Sequence, residues 1–252
     1  MTGAGQHPRV DLVIGGVQKG GTTALDDVLR RHPAMRMTPR KELHWFDNEA
    51  NFALGAPDYA PYHRLWGNAL AGGLCCDSTP SYLWWPSAAE RLRTYNPAMR
   101  WIVLLRDPAE RAYSHWNMVR NTGAESLAFP QALDAEAARL AAGASRDRFR
   151  FSYVSRGYYA RQLAKLFGLF PREHVLVLRS DRLRDDMATT VATVLDFLGL
   201  EPFPTPDPKS ANKGNYDAPL APADRARLVE SFDADIRELE RMLGWDLADW
   251  RR

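Results

Sequence analysis

Apolar residues in this chain fall into short unbroken runs, separated by stretches in which they recur at helical spacing. Residues 9–15, 101–105 and 174–179 are runs of the kind that sit buried in a sheet, and 35–38 and 74–77 are shorter candidates. Between them the spacing predicts helices over 22–31, 87–95, 109–120, 127–142, 158–170, 185–198 and 223–243. Several ends are marked. Asp107 is an expected N-cap with Pro108 in the first turn, Gly199 closes the helix before it, and Phe232, Ile236, Leu239 and Leu243 line one face of the last helix. Residues 146–150 read as a basic loop, and 201–222 as a long loop rich in proline and polar residues. Strands alternating with helices predict an α/β fold: a mostly parallel central sheet flanked by helices.

Composition narrows the picture. At 252 residues with 45% apolar content, one α/β domain spanning 1–252 is expected, with residues 1–8 flexible. The 33 basic residues nearly balance the 31 acidic ones, which gives no argument for nucleic acid or a membrane surface as partner. The only cysteines, Cys75 and Cys76, are adjacent. Neighbours rarely close a disulfide, and they lack companions for a metal site, so they read as small buried residues in a reducing compartment. The start MTGAGQHPRV has no apolar signal core, and no run is long enough to span a bilayer. A cytoplasmic protein is expected, and a homodimer is left open.

The densest glycine stretch, VIGGVQKGGTTAL at 13–25, lies between the first strand and the first helix. Strand, glycine turn and helix start form the layout of an anion cradle, in which backbone N–H groups and the helix N-terminus face the anion. Lys19 adds a full charge, and the hydroxyls of Thr22 and Thr23 add donors. The Walker spacing fails because position 21 is glycine where lysine is required, and the Rossmann spacing is absent. A plain connecting turn is the bland alternative. Ligands of such sheets gather beyond the carboxyl ends of the strands, where 15–23, 77–82 and 106–114 would meet. There Arg106 and Ser114, two helical turns apart, could share one phosphate. An ion pair of Arg106 with Asp107 or Glu110 is the alternative.

KGGTTAL, KELHWFD, LRDPAERAYSHW and the late NKGNY, in this order, resemble the sulfotransferases that use 3′-phosphoadenosine 5′-phosphosulfate. The likeness is to the heparan sulfate branch and its bacterial relatives, and it runs from Val13 to Tyr216. It implies a single P-loop-like domain in which Lys19, Gly20, Gly21, Thr22 and Thr23, with Gln18 beside them, hold the 5′-phosphosulfate. Arg106 and Ser114 would hold the 3′-phosphate, and Lys213, Gly214, Asn215 and Tyr216 would close over the nucleotide. Glu42 would be the catalytic base, tuned by a modest upward shift on burial, with His44 as the rival base and Asp47 as a positioning group. Lys19 would neutralise charge on the leaving oxygen. No metal is expected, since a sulfuryl group carries less charge than a phosphoryl group.

The chain also departs from that branch. Ser78 stands where heparan sulfate relatives carry lysine, Gln18 where they often carry arginine, and their C-terminal cystine is missing. The loss of positive charge argues against a polyanionic glycan. It favours a small molecule or glycosylated metabolite with a hydroxyl, or an amine, as acceptor. Trp45, Trp66, Tyr82, Trp84 and Trp85 would either face that acceptor or fill the core. A P-loop-type kinase or NTPase, and a nucleotide-binding module without catalysis, are the competing readings.

Overall fold

The computed structural model describes residues 9–71, 73–142, 145–204, 216 and 218–252. In chain order the elements are β1 (Leu12–Gly16), α1 (Thr22–Leu29), β2 (Met35–Met37), α2 (Ala60–His63), β3 (Leu74–Asp77), α3 (Ala88–Tyr95), β4 (Arg100–Leu105) and α4 (Pro108–Asn121). There follow α5 (Phe129–Ala142), α6 (Ser145–Phe151), α7 (Tyr159–Leu169), β5 (Val175–Arg179), α8 (Ser180–Asp185), α9 (Met187–Leu198) and α10 (Pro222–Leu243). The described residues fall into two compact units. One holds 9–17, 21–104 and 166–204, and the other holds 18–20, 105–165 and the C-terminal segment from 216.

The first unit is built on a five-stranded parallel sheet in the order β2-β3-β1-β4-β5. Parallel neighbours need crossovers, and helices supply them on both faces, which is why the strands are mostly apolar. β1 is central and buried at every position. Leu12 pairs with Cys76 on one side and Arg100 on the other, and Ile14 pairs with Ile102. The period of two sends Leu12, Ile14, Ile102 and Leu104 into a core shared with Leu25, Val28, Leu183, Val191 and Val194 of α1, α8 and α9. Each such side chain contributes about 1.5–3 kcal/mol on burial. Trp101 points the other way, against Phe170 at 5.6 Å between ring centroids. Cys75 and Cys76 are buried, as expected, and neither forms a disulfide. Burial pushes the Cys75 thiol up to about 11 and the Cys76 thiol well above its usual value, so neither is a reactive thiolate near neutrality.

The second unit is helical. α4 starts as its sequence predicts, with the Asp107 side chain accepting from Ala109 N–H at 2.8 Å and Glu110 N–H at 3.2 Å, and Pro108 in the first turn. Arg225 of α10 donates to Asp107 at 2.7 Å. Asp235 accepts from Ala160 N–H at 3.0 Å, fixing α10 to the start of α7.

One expectation is corrected. Residues 146–150 are not a loop but lie within α6. The guanidinium of Arg139 sits 4.3 Å from the Phe151 ring, and Arg156 donates to the Phe149 carbonyl at 3.4 Å, so tertiary contacts order a stretch whose composition looks solvated. The helix expected over 185–198 is α9, which begins at Met187, and a short helix that was not expected, α8, precedes it with Asp186 between the two. Asp186 leaves helical geometry and its side chain accepts from Thr189 N–H at 3.0 Å, an N-cap competing with helix continuation. In the expected loop over 201–222, residues 201–204 have no regular structure, while 205–215 lie outside the described residues.

Candidate active site

The glycine pairs of the first motif divide the work. A Cβ at Gly15 would lie 2.4 Å from the Trp101 ring, and one at Gly16 would lie 2.8 Å from Leu83. These two glycines let neighbours close over β1; the turn proper is 18–21. There Lys19 has φ 68° and Gly21 has φ 92°. α1 begins on Gly21 without a side-chain cap, so its first N–H groups present their partial positive charge to whatever lies ahead of Thr22.

A second lysine reaches this point. Lys41 Nζ lies 3.1 Å from the hydroxyl oxygens of both Thr22 and Thr23, and 3.5 Å from Glu42 Oε1. Two positive features, the helix start and an ammonium, thus converge on a pair of hydroxyls. An anion seated there satisfies both.

Glu42 continues into a relay. Its Oε2 lies 3.6 Å from His44 Nε2, and His44 Nδ1 meets Asp47 Oδ2 at 2.9 Å. Ser81 Oγ donates to the same Asp47 oxygen. Glu42 and His44 both adopt left-handed backbone, φ 60° and 52°, a conformation uncommon outside glycine. Burial alone would raise the Glu42 carboxyl, but the bond to His44 and the charge of Lys41 outweigh it and hold the group below its ordinary value. The expected upward tuning is therefore reversed. Burial alone would lower His44, but its bonds to Asp47 and Glu42 outweigh that and hold the imidazole at about 9. At neutral pH the pair is carboxylate and imidazolium.

In the second unit, Arg106 Nη1 donates to the Lys19 carbonyl at 3.3 Å. Its other arm faces Glu110 Oε2 at 3.7 Å, and the Arg106 carbonyl accepts from the Tyr159 hydroxyl at 2.9 Å. Ser114 is buried in α4, with its hydroxyl 2.7 Å from that of Tyr216. Tyr113 anchors the same segment by donating to the Ala218 carbonyl at 2.7 Å. Lys19 with Arg106, and Ser114 with Tyr216, are thus brought together. Gln18 and Gly20 stand on either side of Lys19, and Gln18 Oε1 is buried with no partner among the described residues. Lys213, Gly214 and Asn215 lie outside the described residues. Arg111, the other arginine of the motif, is fully buried and donates to the Tyr153 carbonyl, a structural placement.

Among the described residues, no group of three or more His, Cys, Asp or Glu side chains is placed to hold a metal ion. No described helix is long and apolar enough to cross a membrane.

A family model of the sulfotransferase domain matches residues 9–207. The chain belongs to the sulfotransferase family. Heparan sulfate glucosamine 3-O-sulfotransferase 6 of Mus musculus is 33% identical over 201 residues, 79% of this chain and 55% of that protein. The 3B1 enzyme of Mus musculus is 31% identical over 206 residues, 80% of this chain and 49% of that protein. The chain thus spans about half the length of the curated relatives it matches. A crystal structure of a sulfotransferase from Alicyclobacillus acidocaldarius superposes with a TM-score of 0.84 at 27% identity, covering 97% of this chain and 99% of that one. Mouse sulfotransferase SULT7A1 complexed with PAP shares the fold, with a TM-score of 0.51 at 15% identity over 79% of this chain and 61% of that one.

For this sulfotransferase chain the question of the aromatic residues divides. Trp66, Tyr82 and Trp85 are buried. They belong to a core in which Phe46 packs 5.2 Å from Tyr62 and 5.7 Å from Tyr82. Trp45 and Trp84 are only half-buried. Ser78 is itself buried, and its hydroxyl finds no partner among the described residues. Neither Lys41 nor Asp77 is among the site residues expected from the sequence. The crowding of ionisable residues at 40–47, and of hydroxyls after β3, was the available signal.

Proposed function

We propose that this chain moves a sulfuryl group from 3′-phosphoadenosine 5′-phosphosulfate to the hydroxyl of a small or glycosylated acceptor, by in-line attack with Glu42 as the base. The observation that carries the reading is the unbroken run Thr22/Thr23–Lys41–Glu42–His44. An anion-seeking helix start is joined through one ammonium to an ionised carboxylate, which is what a donor sulfuryl group and an acceptor proton each require.

Thr22, Thr23 and Lys41 take the 5′-phosphosulfate, and Lys19 stabilises charge on the departing phosphate oxygen. Arg106, Ser114 and Tyr216 take the 3′-phosphate, a role that suits the forked donors of arginine. Glu42 is preferred to His44 because the imidazole, held at about 9, carries its proton at neutral pH and cannot accept another. Imidazolium and Lys41 instead keep Glu42 ionised until the acceptor arrives. The 3-O-sulfotransferase relatives are named for a glucosamine acceptor, which supports a sugar hydroxyl. The neutral Ser78 favours an acceptor of lower charge than heparan sulfate.

The test joins calorimetric titration with adenosine 3′,5′-bisphosphate to transfer of labelled sulfuryl from the donor onto a panel of glucosamine, alkyl glucosides and phenols. Wild type should bind the nucleotide and label at least one class. Glu42→Gln should keep the affinity and lose turnover. Turnover unchanged in Glu42→Gln would remove the base assignment, and no binding of the bisphosphate would remove the donor. Binding with no labelling of any panel member would favour the module without catalysis.

A further inference from the structure

Asp77 ends β3 and is fully buried. Three hydroxyls, not a cation, satisfy its carboxylate. Thr79 donates to Oδ1 at 2.6 Å, and Tyr62 and Tyr82 donate to Oδ2 at 2.9 and 2.8 Å. Burial pushes the carboxyl up to about 6, and the three hydroxyls pull against it.

Two of those hydroxyls then act on the loop that carries Glu42 and His44. The Thr79 oxygen accepts from Leu43 N–H at 3.0 Å, and the Tyr82 oxygen accepts from Trp45 N–H at 3.2 Å. Glu42 N–H adds a bond to the Ser78 carbonyl at 3.1 Å. The backbone amides at 42, 43 and 45 are therefore all received by the segment just after β3. The direction of these bonds matters. A hydroxyl has one proton to give, and a carboxylate can only accept. Once Thr79 and Tyr82 have committed their protons to Asp77, their lone pairs are left for the loop amides. A neutral amide at 77 would present N–H on one side and undo that polarity.

The amides held by the two hydroxyls, those of Leu43 and Trp45, directly follow Glu42 and His44, both of which are in left-handed backbone. Such geometry persists only where its surroundings fix it. Tyr62 makes the useful contrast, because its hydroxyl reaches the same carboxylate but no loop amide.

We infer that Asp77 is the positioning residue of the base loop: through the Thr79 and Tyr82 hydroxyls it holds Leu43 and Trp45, and so keeps the Glu42–His44 pair in its paired geometry. The mechanistic value of this rests on the reading of Glu42 as base, but the geometry is testable without turnover. In the full chain, the His44 imidazole is titrated by NMR and amide exchange is followed at Leu43 and Trp45. Thr79→Val and Tyr82→Phe should each move the His44 midpoint from about 9 toward 6.5 and speed exchange at Leu43 and Trp45 respectively by tenfold or more. Thr79→Ser, which keeps the hydroxyl, should restore both readings. Tyr62→Phe should lower Tm yet leave the His44 midpoint in place. The proposal is overturned if the midpoint stays near 9 in Thr79→Val and Tyr82→Phe, or if Tyr62→Phe shifts it equally. Neither result bears on Glu42→Gln turnover, so failure of the positioning role and failure of the base role remain distinguishable.

Discussion

The Lys41 ammonium lies 3.1 Å from the Thr22 hydroxyl, at the positive end of α1. Like charge at a helix start is unfavourable unless an anion shares the place. Lys41→Met should therefore weaken binding of adenosine 3′,5′-bisphosphate about tenfold or more, as expected for hydrogen bonds to a charged group. It should also let the Glu42 carboxyl rise, since the charge of Lys41 is one of the causes holding it down. Calorimetry and carboxyl NMR read the two effects. An affinity equal to wild type would detach Lys41 from the donor.

The Glu42–His44 pair sets the pH behaviour. His44 is raised from 6.5 to about 9 in the folded chain, so the stability it contributes is complete below pH 6.5 and disappears as pH rises through about 9. Glu42 is lowered, so its contribution is present above its ordinary 4.5 and is lost as pH falls through the depressed value. Thermal unfolding between pH 6 and 10 should show Tm declining toward the alkaline end in wild type, with a flatter profile in His44→Gln. Parallel profiles for the two proteins would contradict the assignment.

Arg106 holds the Lys19 carbonyl with one arm and faces Glu110 with the other. Arg106→Ala should weaken adenosine 3′,5′-bisphosphate about ten- to hundredfold and adenosine 5′-phosphate much less, because the partner proposed for it is the 3′-phosphate. Equal losses for the two nucleotides would make the arginine a support for the Lys19 turn and nothing more.

Ser114 and Tyr216 share a 2.7 Å hydroxyl contact. If both serve the 3′-phosphate, Ser114→Ala and Tyr216→Phe should be non-additive, the double variant losing little more affinity than the worse single one. Calorimetry on the three variants decides this; strictly additive losses would mean that the two hydroxyls act apart.

Much of this was written in local pattern. The unbroken apolar runs placed β1, β3 and β4 to within a few residues, because strands covered on both faces have few other compositions open to them. Asp107-Pro108 announced α4 through capping chemistry that needs no tertiary help. α6 was illegible because its order comes from Arg139 and Arg156, contacts that no local window contains. The direction of the Glu42 shift was missed for a related reason. Burial was foreseeable, but His44 folding back on Glu42 depends on two left-handed residues that composition does not reveal. Asp77 was silent because a carboxylate at a strand end looks the same whether water or three hydroxyls receive it.

The indole of Trp101 occupies the space where a side chain at position 15 would begin, 2.4 Å from an added Cβ. The two positions are therefore packed as one unit. A larger residue at 15 is admissible only in a lineage that has first shrunk 101, and a smaller residue at 101 leaves a void that only a larger neighbour can refill. Substitutions here should travel in pairs, and a library that varies either position alone should return the parent residue.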